Sequence, residues 1–149
     1  MRSFPLLVTA GAVLAAAPVL RAQTPTPPPT RHSTQMPQQL PFSQAVRSGN
    51  LLFISGTLGT TETGLVPGGI EAETRQTMEN IKRIVEQNGA TMDNVVKCLV
   101  MLADMSEWGR MNSVYVTYFP NRKPARSAFG ASGLALNARV EIECIAELR

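Results

Sequence analysis

The strongest constraint on the fold is the order in which strand-like and helix-like patterns of apolar residues alternate along the chain. The run NLLFISG, at 50–56, is apolar and bounded by glycine, which is typical of a buried strand. Residues 71–88 have apolar side chains at helical spacing, with Glu71 and Glu73 in the first turn and Gly89 as a stop signal. The glycine- and proline-rich segment between them predicts a hairpin-like connection.

The same alternation repeats further along the chain. The run NVVKCLVML, at 94–102, predicts a second buried strand, and residues 106–119 predict a second helix with Ser106 as its N-cap. One stripe of this helix is apolar and aromatic, and it is interpreted as core rather than as a binding surface. Its members are Trp108, Met111, Tyr115, Tyr118 and Phe119.

Two further strand-like runs close the chain, ARSAFGA at 125–131 and ARVEIECIAEL at 138–148. The order strand, helix, strand, helix, strand, strand predicts a two-layer α+β domain with both helices packed on one face of a mixed sheet. Because two helices cover only one face, we expect the other face to be covered by another subunit.

The N-terminal part differs from this domain. Residues 1–22 carry Arg2, an apolar stretch and a small residue at the end, which predicts a signal peptide. Cleavage after Ala22 is favoured over an uncleaved anchor, because the apolar stretch is short for a membrane helix. The predicted protein is therefore exported, periplasmic or secreted, with no stable membrane association after cleavage. Residues 23–40 are rich in Pro, Thr and Gln and are interpreted as a disordered linker, which leaves 41–149 as the folded domain.

Charge and histidine content narrow the classes of function. Removing Arg2 and Arg21 from the 14 Lys+Arg leaves 12 against 11 Asp+Glu, so the mature chain is near neutral and no nucleic-acid partner is expected. His32, the single histidine, lies in the predicted linker and is interpreted as solvated. A histidine-based zinc site or serine triad therefore lacks its residues, and no metal site is predicted.

The two cysteines could form a disulfide or remain reduced. Cys98 and Cys144 lie far apart in the chain, each inside an apolar strand pattern, which excludes CxxC redox chemistry. Buried reduced thiols are favoured here over a disulfide, because cysteine is among the residue types most often buried.

The last strand has two chemically different faces. Val140 and Ile142 alternate with Glu141 and Glu143, so one face is apolar and the other opens with two carboxylates. Taken alone, these glutamates and the strand residue Arg126 are typical surface charges.

Longer segments resemble a known family. The segments are PFSQAVRSGNLLFISG, TRQTMENIKRIVEQNGATMDNVVK, MNSVYVTYFPNRKPARSAF and VEIECIAEL. In this order they resemble the reactive intermediate deaminases, the Rid or YjgF-type imine deaminases, and the resemblance covers the chain from Pro41 to Leu148. KPARS combined with VEIE is its most specific part.

The resemblance implies a chorismate-mutase-like α+β fold assembled as a homotrimer, with binding clefts between subunits. It also implies hydrolysis of small 2-imino acids to 2-keto acids and ammonia, with no cofactor and no metal. Two alternatives stay open: a non-catalytic module that binds small carboxylates in the same cleft, and a ribonuclease or protein-stabilising role.

The resemblance also assigns site residues. Arg126 matches the arginine that binds the substrate carboxylate, and Glu141 matches the glutamate that activates water. Ser55, Gly56 and Asn112 match positions that line the cleft, whereas Glu143 is assigned a structural or interface role.

Three departures from the family pattern bear on substrate choice. Phe42 stands where a tyrosine is common, and Ala128 stands where a cysteine is common. The segment GLA, at 133–135, replaces an RLP-like segment. Phe42 and Ala128 are still expected to line the substrate-binding cleft.

Overall fold

The computed structural model describes residues 30–32 and 40–148. The predicted signal peptide at 1–22 lies outside these residues. The helices are α1 (Gly69–Gln87) and α2 (Trp108–Tyr115). The strands are β1 (Thr30–His32), β2 (Ala45–Ser48), β3 (Leu51–Leu58), β4 (Thr60–Thr61), β5 (Gly64–Leu65), β6 (Val95–Leu102), β7 (Ala125–Gly130) and β8 (Val140–Glu147).

Six strands form one mixed sheet in the order β1-β2-β3-β8-β6-β7, and β4 pairs with β5 in a separate hairpin. All neighbours in the large sheet run antiparallel except β6 and β7, which are parallel. The chain between β6 and β7 contains α2, as a parallel pair requires a crossover connection. The predicted α+β class, with two helices on one face of a mixed sheet, is confirmed.

One face of the sheet carries the hydrophobic core. Along β6 and β8, buried residues alternate with more accessible ones, as the sequence pattern predicts. Helix α1 packs on β3 and β8 through buried side chains at helical spacing, including Ile70, Met78, Ile81 and Val85. The predicted helix end is also confirmed, since Gly89 adopts a φ of 77°, a value that favours glycine.

The second helical segment is less regular than predicted. A 3-10 turn at Met105–Glu107 precedes α2, and a second one at Val116–Tyr118 follows it. The prediction of Ser106 as the N-cap is wrong. The carboxylate of Asp104 accepts a hydrogen bond from the Ser106 backbone N at 2.8 Å, so the helical segment begins with an aspartate cap.

The prediction of two reduced cysteines is also wrong. Cys98 in β6 and Cys144 in β8 are direct partners in the antiparallel register, and they form a disulfide. Both residues are buried on the helix-covered face. The strand register decides the pairing, and this register is not visible in either apolar run alone.

Thr30–His32, which lie within the predicted linker at 23–40, form β1. Thr30 pairs with Arg47 and His32 with Ala45 of β2. β1 covers the outer edge of β2. Without it, the N–H and C=O groups along that edge of β2 would be unpaired and able to bind another extended segment. β2 itself was not predicted, because its four residues, AVRS, carry no clear alternation.

The second face of the sheet is open to solvent in one chain. Phe53 of β3 and Phe129 of β7 are 42% and 45% exposed on this face. The expectation that another subunit covers this face stays a prediction. Within residues 30–32 and 40–148, no helix combines the length and the apolar character that crossing a membrane requires.

Candidate active site

Arg126 lies in the edge strand β7, where residues of α2 hold its side chain. Its Nη1 donates a hydrogen bond to Oδ1 of Asn112 at 2.8 Å. The central guanidinium carbon lies 4.6 Å from the ring centroid of Tyr115 and 5.7 Å from that of Trp108. These distances are in the range of cation–π contacts. We call Arg126, Trp108, Asn112 and Tyr115 the arginine group.

Helical spacing explains why one helix supplies all three contacts. Asn112 follows Trp108 by one turn, and Tyr115 follows by two, so the three side chains lie on one side of α2. The interpretation of this stripe as core holds for Met111 and Phe119, which are buried. It is wrong for Trp108, which is 40% exposed beside the guanidinium.

Tyr115 contributes its ring rather than an ionised hydroxyl. The residue is 6% exposed, and its Oη has no hydrogen-bond partner among the described residues. Burial raises the pKa of Tyr115 to about 12, and the positive charge of Arg126 opposes this rise only in part. The phenol is therefore neutral at physiological pH.

Glu141 lies in β8 and is positioned against the backbone of β3. A Cβ atom at Gly56 would collide with Oε1 of Glu141, so the glycine is required for this close approach. The register of β3 with β8 shifts between Ile54 and Thr57, as in a β-bulge. Bulges often re-aim side chains next to active sites.

Ser55 belongs to the same irregular stretch of β3. Its Oγ donates a hydrogen bond to the carbonyl of Ser43 at 2.7 Å, and its backbone N donates to the carbonyl of Gln44 at 2.9 Å. Phe42 precedes Ser43 and exposes its ring. Gly56 follows Ser55 and borders Glu141, and we call Ser55, Gly56 and Glu141 the glutamate group.

The two groups lie on opposite faces of the sheet. Cys98 is the register partner of Arg126 in β7 and of Cys144 in β8, so these three side chains share the helix-covered face. Glu141 precedes Cys144 by three positions and therefore points to the open face. Within one chain, the structure does not bring Arg126 and Glu141 together.

The remaining predicted residues fall on these same strands. Ala128 follows Arg126 on the same face of β7 and packs partly buried against the core. Glu143 follows Glu141 on the open face and is exposed. Among the described residues, no group of three or more His, Cys, Asp or Glu side chains is arranged to hold a metal ion.

Sequence reasoning missed three residues near these groups. Trp108 and Tyr115 could have been found, since they share helical spacing with Asn112. Glu73, which is 4% exposed, accepts a hydrogen bond at 2.7 Å from the backbone N of Arg139, two residues before Glu141. Nothing in the local sequence distinguishes it from a first-turn glutamate that is exposed to solvent.

The fold and the two groups define a YjgF-type α+β protein with an arginine held at the edge strand and a carboxylate beside a glycine bulge. A sequence model of the family described as Endoribonuclease L-PSP matches residues 33–148. The chain therefore belongs to this family, which confirms the predicted resemblance. The matched region begins before Pro41 and includes part of the predicted linker.

Several relatives carry deaminase names. The chain is 44% identical over 110 residues to Reactive Intermediate Deaminase A, chloroplastic, of Arabidopsis thaliana. The aligned region covers 72% of this chain and 59% of that protein. It is 43% identical over 108 residues to the 2-iminobutanoate/2-iminopropanoate deaminase of Mus musculus, covering 71% and 80% of the two chains. It is 38% identical over 135 residues to Protein MMF1, mitochondrial, of Saccharomyces cerevisiae, covering 90% and 93%.

Solved structures share the fold. The crystal structure of yeast Mmf1 matches with a TM-score of 0.76 and 36% identity, covering 81% of this chain and 99% of that one. The structure of Escherichia coli TdcF with bound serine matches with a TM-score of 0.71 and 28% identity, covering 75% and 91%.

The relatives correct the predicted location. The prediction of an exported, periplasmic or secreted protein is wrong, because the relatives whose names state a compartment are chloroplastic and mitochondrial. The apolar stretch on which that prediction relied lies outside the described residues.

Proposed function

We propose that this protein hydrolyses small 2-imino acids to 2-keto acids and ammonia, with Arg126 binding the substrate carboxylate and Glu141 activating water. The observation that carries this proposal is the arginine group, in which three side chains of α2 hold the guanidinium of Arg126 at the edge of the sheet. Two relatives that are 44% and 43% identical to this chain carry deaminase names, which support the same reaction class.

Arg126 is suited to a carboxylate ligand. Its Nη1 is held by Asn112, and no other hydrogen-bond partner of the guanidinium is found among the described residues. The Nε and Nη2 hydrogen atoms are thus available as a planar fork that matches the two oxygens of a carboxylate. The TdcF structure contains bound serine, an amino acid that carries such a carboxylate.

Glu141 is assigned to the water. In this step the carboxylate takes a proton from water as the oxygen attacks the imine carbon, and the same proton is then returned to the nitrogen. The product of this step is a carbinolamine; Glu141 then takes its hydroxyl proton and transfers it to the amine nitrogen, the C–N bond breaks, ammonia leaves, and the carbonyl of the keto acid forms. The Ser55 hydroxyl, whose proton is directed to Ser43, can accept a hydrogen bond from the imine N–H.

A site in which both groups act on one substrate needs a second chain, because the two groups lie on opposite faces of the sheet. We assign the site to the cleft between subunits of a homotrimer, with Arg126 from one subunit and Glu141 from its neighbour. The exposed rings of Phe53 and Phe129 on the open face support such an assembly, because large apolar side chains at a sheet face are typical of subunit interfaces.

The assignment is tested with 2-iminopropanoate or 2-iminobutanoate generated in situ, and with keto-acid formation as the readout. Wild type is expected to accelerate the reaction, and Arg126→Ala and Glu141→Gln are expected to abolish most of it. Matched controls are Arg122→Ala, an exposed arginine near Arg126, and Glu143→Gln, on the same strand face as Glu141. No acceleration by wild type over buffer contradicts the proposal, and saturable pyruvate binding without turnover identifies a binding module instead.

RNA cleavage is a second candidate function, favoured by the description of the family as an endoribonuclease. Residues 40–148 contain no histidine, so acid–base chemistry at RNA would depend on carboxylates. The test is whether cleavage of a single-stranded RNA persists through repeated purification and falls in Glu141→Gln. Cleavage that disappears on purification belongs to another protein in the preparation, and cleavage that persists but is unaffected by this substitution does not use the Glu141 site.

A further inference from the structure

The Arg126 guanidinium has more side-chain contacts than carboxylate binding alone requires. One amide and two aromatic rings, all from α2, contact a single guanidinium. An arginine side chain at a sheet edge has many rotamers, and ordering it at the moment of binding costs free energy. Contacts that hold it in the unbound protein remove that cost.

The helix that supplies these contacts is itself fixed at both ends. Near its start, Arg110 pairs with Glu71 of α1 at 3.0 Å, and Glu107 pairs with Arg139 at 2.8 Å. Beyond its end, the Tyr118 hydroxyl donates to Glu79 of α1 at 2.7 Å. The rings therefore belong to a helix whose position is set independently of Arg126.

We propose that Tyr115 and Trp108 are positioning residues, whose ring faces hold the Arg126 guanidinium in the plane that receives the substrate carboxylate. This inference rests on the proposed function. The buried ring of Tyr115 sets the plane from one side, at 4.6 Å, and the half-exposed ring of Trp108 borders the guanidinium at 5.7 Å.

The hydroxyl of Tyr115 is not part of this role. It has no hydrogen-bond partner among the described residues, and its pKa of about 12 keeps it neutral, so it neither anchors the arginine nor serves as a base near pH 7. The ring and the hydroxyl can therefore be tested separately. Phenylalanine keeps the ring, whereas leucine keeps apolar bulk and removes the aromatic face.

The experiment compares Tyr115→Phe with Tyr115→Leu, and Trp108→Phe with Trp108→Leu, in imine hydrolysis and in pyruvate binding by calorimetry. The phenylalanine variants are expected to keep KM within about twofold. The leucine variants are expected to raise KM and the pyruvate Kd about tenfold, with a smaller change in kcat, as the loss of a partly buried cation–π contact predicts. Val116→Ala, an exposed position on the following turn, is the control and should change neither constant.

A Tyr115→Phe variant as impaired as Tyr115→Leu would overturn the inference, because it would assign the role to the hydroxyl. Wild-type KM and Kd in both leucine variants would overturn it as well. If the Tyr115 variants misfold, Trp108→Leu still tests the inference, because Trp108 is half-exposed and its replacement disturbs the core less.

A second readout separates this inference from the proposed function. In NMR spectra of the unliganded protein, the Nε–H resonance of Arg126 is expected to show a ring-current shift that diminishes in the leucine variants and persists in the phenylalanine variants. If wild type does not hydrolyse imines, the proposed function fails while this shift still decides the role of the rings. If wild type hydrolyses imines but the shift is absent, the positioning role fails alone.

Discussion

The arginine group and the glutamate group differ in what holds the charged side chain. Arg126 is held by three side chains of one helix, through a hydrogen bond and two ring contacts. Glu141 is placed by backbone, through a bulge in the neighbouring strand and the missing side chain of Gly56. The first arrangement is complete within one chain, whereas the second faces the open side of the sheet.

This difference suggests a division of roles. A substrate-binding cation benefits from being fixed before the ligand arrives, since ordering it later weakens affinity. A general base must meet a water and an imine carbon, and in the proposed site these lie against a neighbouring subunit. Four sets of variants test this difference between the arginine group and the glutamate group.

The largest effect is expected from Glu141→Gln. This change removes the base and should lower kcat by about 10²- to 10⁴-fold, as is usual for the loss of general base catalysis. Pyruvate binding should stay close to wild type, because the arginine group is untouched. Arg126→Ala should instead abolish pyruvate binding in calorimetry. Equal loss of pyruvate binding in both variants would contradict the division of roles.

Loss of the Cys98–Cys144 disulfide should lower the stability of both groups together. The bond links β8, which carries Glu141, to β6, the neighbour of the strand that carries Arg126. For a sequence separation of 46 residues, a lost cross-link costs about 4 kcal/mol of unfolding free energy in the chain-entropy description. Urea unfolding of wild type against the double variant Cys98→Ala/Cys144→Ala measures it. Identical midpoints would show that the bond does not stabilise the native chain.

Gly56→Ala should affect only the glutamate group. The added Cβ displaces the Glu141 carboxylate, and we expect a fall in kcat of about 10- to 100-fold, since small misplacements of catalytic groups cost this much. Pyruvate binding should be retained. Gly109→Ala is the matched control, because nothing lies within 4 Å of its added Cβ, and alanine favours a helix. A fully active Gly56→Ala enzyme would contradict the placement of Glu141.

The smallest effect is expected at Glu73, which anchors the start of β8 through the Arg139 backbone N. Glu73→Gln keeps an acceptor oxygen and should leave stability within about 1 kcal/mol, whereas Glu73→Leu removes the acceptor of the part-buried Arg139 N–H and should cost about 1 to 3 kcal/mol. Thermal unfolding with parallel kcat measurements checks both. A Gln variant as destabilised as the Leu variant would show that charge, not the hydrogen bond, is what matters.

Much of the fold could be predicted from local patterns. The alternation in VEIECIAEL gives the faces of β8, and the helical spacing with Gly89 gives α1 and its end. Register could not be predicted, because it depends on how strands pair across the sheet. For this reason the Cys98–Cys144 bond and the short pairing of β1 with β2 appear only in the structure.

The candidate site shows the same limit. Arg126, Glu141 and Asn112 were predicted from a family resemblance, and the structure adds the contact between Arg126 and Asn112. That Arg126 and Glu141 lie on opposite faces follows from the parallel pairing of β6 with β7, which no single segment encodes. Trp108 was interpreted as core because apolar spacing alone does not separate a buried ring from one that borders a cation.

Mixing two inactive variants shows whether the site combines Arg126 of one subunit with Glu141 of another. Arg126→Ala and Glu141→Gln proteins are unfolded together, refolded as mixed oligomers, and assayed for imine hydrolysis. A site shared between subunits predicts recovery of about a quarter of wild-type activity, because random pairing places both intact residues at that fraction of interfaces. No recovery in mixed oligomers of confirmed composition would contradict the account and place both residues in a single chain's site.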